Sequence, residues 1–144
     1  MEGFKNKFQT DRYTVFQVGN WIISLRPQQV TIGSLIVFLN RPCTDLSNLT
    51  EEESLHLGEV FKFVNKLLKS SFLPDKINYL ALMMVDDQVH FHVIPRYKTS
   101  VVFEGKQYED IAWPKPPNLM EALSLSDDVV ESICEYLKIS PKSE

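Results

Sequence analysis

Residues 47–72, SNLTEEESLHLGEVFKFVNKLLKSSF, constrain the fold of this chain most, because they specify one long amphipathic helix with β-rich sequence on either side. Thr50 and Glu53 have the spacing of a capping box, and Glu51, Glu52 and Glu53 put negative charge at the positive end of the helix dipole. Leu57, Val60, Phe61, Val64, Leu67 and Leu68 recur at helical spacing, while Lys62, Lys66 and Lys69 face elsewhere. Pro74-Asp75 breaks the pattern. A helix with one apolar stripe needs a flat apolar partner, and the flanking sequence supplies it.

Before the helix, residues 13–18 and 21–26 (YTVFQV and WIISLR) read as two strands around Gly19-Asn20, residue types that supply the positive φ of a two-residue hairpin. Leu35 to Leu39 forms a third, well-buried strand that stops at Asn40-Arg41-Pro42. After the helix, residues 77–85, INYLALMMV, read as a fourth strand that turns tightly at Asp86-Asp87 into a fifth, residues 88–97, QVHFHVIPRY. Beyond it, residues 100–105 (SVVFEG) suggest a strand end. The segment AWPKPPNL, with three prolines, is predicted to lie extended over the surface. Ser126 is placed to cap a final helix with Val129, Val130, Ile133 and Leu137 on one face, and PKSE ends the chain as a frayed tail. Strands, a crossing helix and more strands predict an α+β domain on a mostly antiparallel sheet.

The chain has 144 residues, 44% of them hydrophobic, enough for one core and one domain. A net charge of −4 and a pI of about 5.4 argue against a long basic groove for nucleic acid. Cys43 and Cys134 are far apart and form no C-x-x-C pair, so neither a disulfide framework nor a zinc knuckle is expected, and a reducing cytoplasmic setting fits. The first residues have no signal-like apolar core, and no stretch reaches the roughly 20 apolar residues of a membrane span.

Two of the three histidines fall at alternate positions of one predicted strand. Side chains alternate across a sheet, so Gln88, His90 and His92 project to one face and Val89, Phe91 and Val93 to the other. Imidazole changes charge near neutral pH, at about 6.5, so two together can divide the work of nucleophile and acid. Arg96 follows at the strand end, placed to hold a phosphate by a bidentate contact. A metal shared by His90 and His92 is an open alternative, although positions 93–98 offer no Cys, Asp or Glu to complete the ligand set. His56, beside Leu55 and Leu57, is read as a helix-surface residue outside the site.

Gln88-Val89-His90-Phe91-His92-Val93-Ile94 resembles the histidine triad (HIT) motif H-x-H-x-H-x-x, with glutamine at the first histidine position. The resemblance extends to the following Pro95-Arg96, to Gly33-Ser34-Leu35-Ile36-Val37, where Ser34 stands at a usual histidine position, and to DLSNLTEEE from Asp45 to Glu53. It covers about residues 13–97 in the same order of elements. The rest, with VVFEG, Asp110 and Trp113-Pro114-Lys115-Pro116-Pro117, is similar to the tail of a bacterial subgroup whose motif also begins with glutamine.

The resemblance implies a single HIT-like domain over residues 1–144, with a core at about 13–97 and a C-terminal extension at 98–144. It implies a nucleotide hydrolase or nucleotidyl transferase acting through a nucleotidyl-histidine, on substrates such as dinucleoside polyphosphates, with no cofactor. His90 matches the nucleophile and His92 the third histidine. Gln88 can orient a neighbouring imidazole but cannot take up a proton. Asn78, Arg96 and Ser34 are the expected substrate contacts, and a base pocket is expected around Leu25 and Ile36. A homodimer joined through its sheets is also implied. Residues 79–87 hold none of the Gly or Ser that usually meets phosphate in the family, and Asp86 and Asp87 would repel an anion they faced. Two other readings therefore stand beside the enzyme: a nucleotide-binding or protein-interaction module without turnover, and a metal-dependent enzyme using His90 and His92.

Overall fold

The structure is a computed structural model, and it describes residues 1–139; the expected PKSE tail lies outside the described residues. Five strands form one antiparallel sheet: β1 (Thr14–Val18), β2 (Trp21–Leu25), β3 (Leu35–Leu39), β4 (Lys76–Leu80) and β5 (His90–Arg96), in the order β1-β2-β3-β5-β4. The sheet is buried on both faces, which is why β3 is apolar at every position. One face carries Trp21, Ile23, Leu25, Leu35, Val37, Leu39 and Val93 against helix α3 (Glu51–Ser71) and helix α4 (Asp127–Ile139). The other carries Ile36 and Phe38, covered by Phe4 and Phe8 of the N-terminal segment.

Helix α3 obeys the pattern read from its sequence. Val60, Val64, Leu67 and Leu68 are fully buried, each such side chain contributing about 1.5–3 kcal/mol of transfer free energy. Its N-terminus is bolted to the sheet through Glu53. The main-chain N–H of Glu53 donates to Thr50 Oγ1 at 3.0 Å, and the Thr50 N–H donates back to Glu53 Oε1 at 3.0 Å. Arg41 donates twice to the same carboxylate, at 2.7 and 2.8 Å, and Trp21 Nε1 donates to the Glu53 carbonyl at 2.9 Å. The Arg41 hydrogen bonds, followed by those from Thr50 and Asn20, overcome burial and hold Glu53 down at about 2, against an ordinary 4.5. A depressed carboxylate stabilises the fold fully above its ordinary pKa, and that stability is lost as pH falls from about 4.5 toward 2. Glu53→Gln is expected to cost about 1–2 kcal/mol at neutral pH, a figure reduced for the solvent exposure of Arg41. Melting curves collected from pH 7 to 2.5 should show the variant and parent converging at the acid end.

The hairpin turn is as expected, with one difference: Gly19 alone takes positive φ, at +55°, and Asn20 does not. A Cβ on Gly19 would lie 2.0 Å from His56 Nδ1, so glycine is also required for the turn to approach α3. His56 thus packs under the hairpin, half-buried, away from the other histidines.

Three expectations are corrected or refined. β4 stops at Leu80, and residues 81–89 leave the sheet as a long connection in place of a tight turn, with Leu82, Met84 and Val85 exposed. Residues 100–105 do hold a strand, but it belongs to a separate hairpin, β6 (Val101–Phe103) and β7 (Lys106–Tyr108), around Glu104-Gly105, both at positive φ. The proline-rich segment is neither helix nor strand, as predicted, but opens as a turn over residues 111–115. Two short N-terminal helices, α1 (Glu2–Lys7) and α2 (Thr10–Tyr13), had no signal in the sequence reading. Isolated helices of this length are marginal in water, and burial of Phe4, Phe8 and Tyr13 holds them on the sheet. Ser126 caps α4 as expected, its Oγ accepting from the Val129 N–H at 3.3 Å.

Candidate functional site

β5 pairs with β3 on one side and β4 on the other, in a register that sets Ile36 opposite His92 and Phe38 opposite His90. The even-numbered residues of the motif therefore share the face covered by α1, as strand alternation requires. His90 Nε2 lies 3.2 Å from His92 Nε2, and His90 Nδ1 lies 2.6 Å from the Gln88 carbonyl oxygen. Phe4 packs on the His90 ring at 5.1 Å between centroids, and Phe8 reaches both imidazoles at 6.4 Å. Both histidines are buried.

A residue absent from the sequence reading completes the cluster. Arg26, just beyond β2 and buried, directs Nε at His92 Nδ1 across 3.4 Å, and its terminal nitrogens donate to the carbonyls of Gln28 and Leu119 at 2.6 and 3.5 Å. Because arginine only donates, this contact assigns the tautomers along the row. His92 Nδ1 accepts, so His92 Nε2 carries the proton and points it at His90 Nε2. His90 Nδ1 then carries the other proton and donates it to the Gln88 carbonyl. Two ring nitrogens are then unprotonated: His92 Nδ1, occupied by Arg26, and His90 Nε2. Burial, then the neighbouring His90 ring and the Arg26 charge, push His92 down to about 3, and burial lowers His90 as well. Both imidazoles are therefore neutral at physiological pH.

The pair opens into a cavity of about 470 Å³, within the size range of small-molecule sites. Lys7, Phe8 and Gln9 form one wall, residues 82–86 a second, and Arg26, Pro27 and Gln28 with Leu119 and Met120 a third. The C-terminal extension thus contributes to the cavity, which no local pattern in its sequence suggested. A basic residue ending the apolar run WIISL was the one available signal for Arg26.

The other expected site residues lie elsewhere. Gln88 spends its side chain on the main chain: Nε2 donates to Leu39 and Arg41 carbonyls, each at 2.8 Å, and Oε1 accepts from the Cys43 N–H at 3.3 Å. It is the Gln88 peptide carbonyl, not the amide, that orients His90. Gln88→Ala is expected to cost about 1–2 kcal/mol through unpaired buried carbonyls. Gln88→Glu should cost more, since a carboxylate there faces two carbonyl oxygens; thermal melts rank the three. Arg96 is buried against Asp110, with Nε to Oδ2 at 2.7 Å and a second contact at 3.2 Å, and it also donates to Asn78 Oδ1 and the Lys115 carbonyl. Four of its five N–H groups tie the proline-rich segment to β4 and β5, and Asn78 is its partner. Both line a separate cavity bounded by Trp113 and Pro114. Ser34 is fully buried, its hydroxyl donating to the Thr31 carbonyl at 2.7 Å. Leu25 and Ile36 point to opposite faces, and neither lines the histidine cavity.

No protein-family model matches the chain, and no curated protein matches it significantly. Among solved structures, a histidine triad protein from Sinorhizobium meliloti superposes with a TM-score of 0.73 at 20% identity, covering 94% of each chain. A histidine triad protein from Bradyrhizobium japonicum gives 0.70 at 21% identity over 88% of each chain. The NitFhit protein of C. elegans gives 0.64 at 16% identity, over 88% of this chain and 27% of that one. The match covers most of the chain and agrees with the five-stranded antiparallel sheet and its crossing helix. This chain has the histidine triad fold.

Proposed function

We propose that this chain is a histidine triad protein of Gln-x-His-x-His type and that it hydrolyses or transfers a nucleotidyl group through a covalent intermediate on His90. The observation that carries the reading is the ordered proton row from Arg26 through His92 to His90, which leaves His90 Nε2 as an unprotonated nucleophile at the floor of a cavity. A neutral imidazole nitrogen attacks phosphorus at physiological pH, and the phosphoramidate it forms is labile enough for water to resolve.

When a phosphate enters, its non-bridging oxygen accepts the hydrogen bond that His92 Nε2–H had directed at His90. The same hydrogen bond that held the nucleophile idle then stabilises charge on the substrate. His90 Nε2 bonds to the α-phosphorus, the bond to the leaving group breaks, and water returns the nucleotide and free His90. The apolar wall of Phe8, Leu82, Met83 and Met84 favours a base beside the reacting phosphate. A dinucleoside polyphosphate is one candidate substrate.

The metal-dependent alternative is less well supported, since the group standing beyond His92 is the Arg26 guanidinium, which opposes a bound cation. The homodimer belongs to the same proposal, with β4, one of the two outer strands of the sheet, as the element through which two copies would join. A cytoplasmic setting is proposed from the two cysteines, both free and buried; no helix among the described residues is long and apolar enough to cross a membrane.

The direct test is to incubate the full chain with an α-labelled adenylylated substrate, quench, and map the label by mass spectrometry. Label on His90 is the expected result. Nucleotide binding without label would support the module that holds a nucleotide without turning it over, and turnover that stops with chelator and returns with a divalent ion would support the metal enzyme.

A further inference from the structure

Two walls of the histidine cavity are joined by an ion pair. Lys7, in the last turn of α1, places its ammonium 2.6 Å from Asp86 Oδ2 in the connection that follows β4, and both residues line the cavity. The pair lies at the cavity mouth, with the lysine side chain 50% exposed and the aspartate 23%. The connection bearing Asp86 is not held by packing. Met84 and Val85 beside it are 81% and 90% exposed, and Met83 adopts a left-handed φ of 46°, which non-glycine residues rarely take.

The cavity has two cations and one anion on its walls. Arg26 is committed to two carbonyls and to His92. Lys7 is committed to a partly exposed carboxylate, the group in a protein most like a phosphate oxygen in charge and in hydrogen-bond geometry. Lys7, Asp86, His90 and His92 line the same cavity, so the pair shares the space in which a phosphate must sit to be attacked. As it stands, Asp86 repels an arriving anion. Exchange removes that repulsion.

We propose that Lys7 is the phosphate-binding cation of this site, and that Asp86 holds it until a substrate phosphate displaces the carboxylate and takes the ammonium over. The proposal rests on the nucleotidyl-transfer reading above. It accounts for a phosphate site without the usual glycine-containing loop: the donor comes from the N-terminal helix. It also gives Asp86 a definite role, that of an internal competitor whose release frees the connection over residues 81–87 to move.

A pair that merely clasps α1 to the sheet and a pair that exchanges with phosphate predict different signs. Breaking a clasp from either side has the same effect. Removing the competitor should tighten phosphate binding, and removing the cation should weaken it. Isothermal titration of the full chain with AMP, and with adenosine as the phosphate-free control, separates the two. Lys7→Gln is expected to weaken AMP about 10-fold, the worth of one charge-assisted hydrogen bond, with adenosine unchanged. Lys7→Arg should restore AMP binding, and Asp86→Asn should tighten it about threefold. Equal weakening by Lys7→Gln and Asp86→Asn, or AMP affinity unmoved by Lys7→Gln, would overturn the exchange while leaving the nucleotide reading intact. Failure of the parent chain to bind AMP at all would remove the nucleotide reading and the exchange with it.

Discussion

Replacing His90 with alanine is expected to reduce turnover of an adenylylated substrate by roughly 10⁴-fold or more and to abolish covalent labelling, because the unprotonated nitrogen not already occupied by Arg26 is lost. The loss should fall on kcat, with AMP affinity changing little, since Lys7, Arg26 and the apolar wall remain. Folding should also survive: the cluster of Phe4, Phe8, Ile36 and Phe38 on that face does not include His90, although Phe4 and Phe8 each lose a ring contact. Glutamine at position 90 fills more of the ring's space and separates lost chemistry from lost packing. If His90→Gln retained appreciable turnover while staying folded, a nucleophile other than His90 would have to be sought.

Arg26→Gln is the second large effect, about 10- to 100-fold in kcat/KM, and it carries a pH signature. Without the guanidinium, nothing obliges His92 to keep its proton on Nε2, so the tautomer that leaves His90 free is no longer selected. The charge matters separately. Arg26 lowers the pKa of both histidines, alongside burial, which is the larger cause. A histidine with a depressed pKa stays neutral, and active, as pH falls through its ordinary value of 6.5; activity disappears only at lower pH. In the parent chain the acid limb of kcat/KM should therefore lie below 6.5. Removing Arg26 should move that limb upward toward 6.5, and Arg26→Lys, which keeps the charge but not the planar Nε donor, should lower the rate while leaving the limb near its parental position. Rate profiles between pH 4.5 and 8 on the three proteins separate the two contributions. A limb that does not move in Arg26→Gln would show that burial alone sets the histidine pKa values.

The parts of this protein that were legible in its sequence are those governed by local periodicity. Helix α3 announced itself through its capping box and its apolar stripe, and the Gly19-Asn20 hairpin through turn chemistry that needs only adjacent residues. The face shared by Gln88, His90 and His92 followed from the two-residue period of a strand. Where chain neighbours did not decide the outcome, the reading failed. Residues 77–85 are β-rich throughout, yet pairing with β5 ends at Leu80 opposite His92, and the chain turns away so that residues 82–85 wall the histidine cavity. Arg96, expected at a phosphate, is paired with Asp110, far along in a segment with no regular structure, a partner that no local pattern announces.

By itself the sequence determined the two periods, the caps, the turns and the alternation that puts both histidines on one side of a strand, since each of these is settled within a few residues along the chain. Only the tertiary structure decided that Arg26 assigns their protons, that α1 and residues 119–120 wall the cavity, and that Gln88 braces the backbone. Those outcomes depend on contacts between segments up to 93 positions apart, as between Arg26 and Leu119, and a hydrogen bond at that separation is selected by packing rather than by pattern.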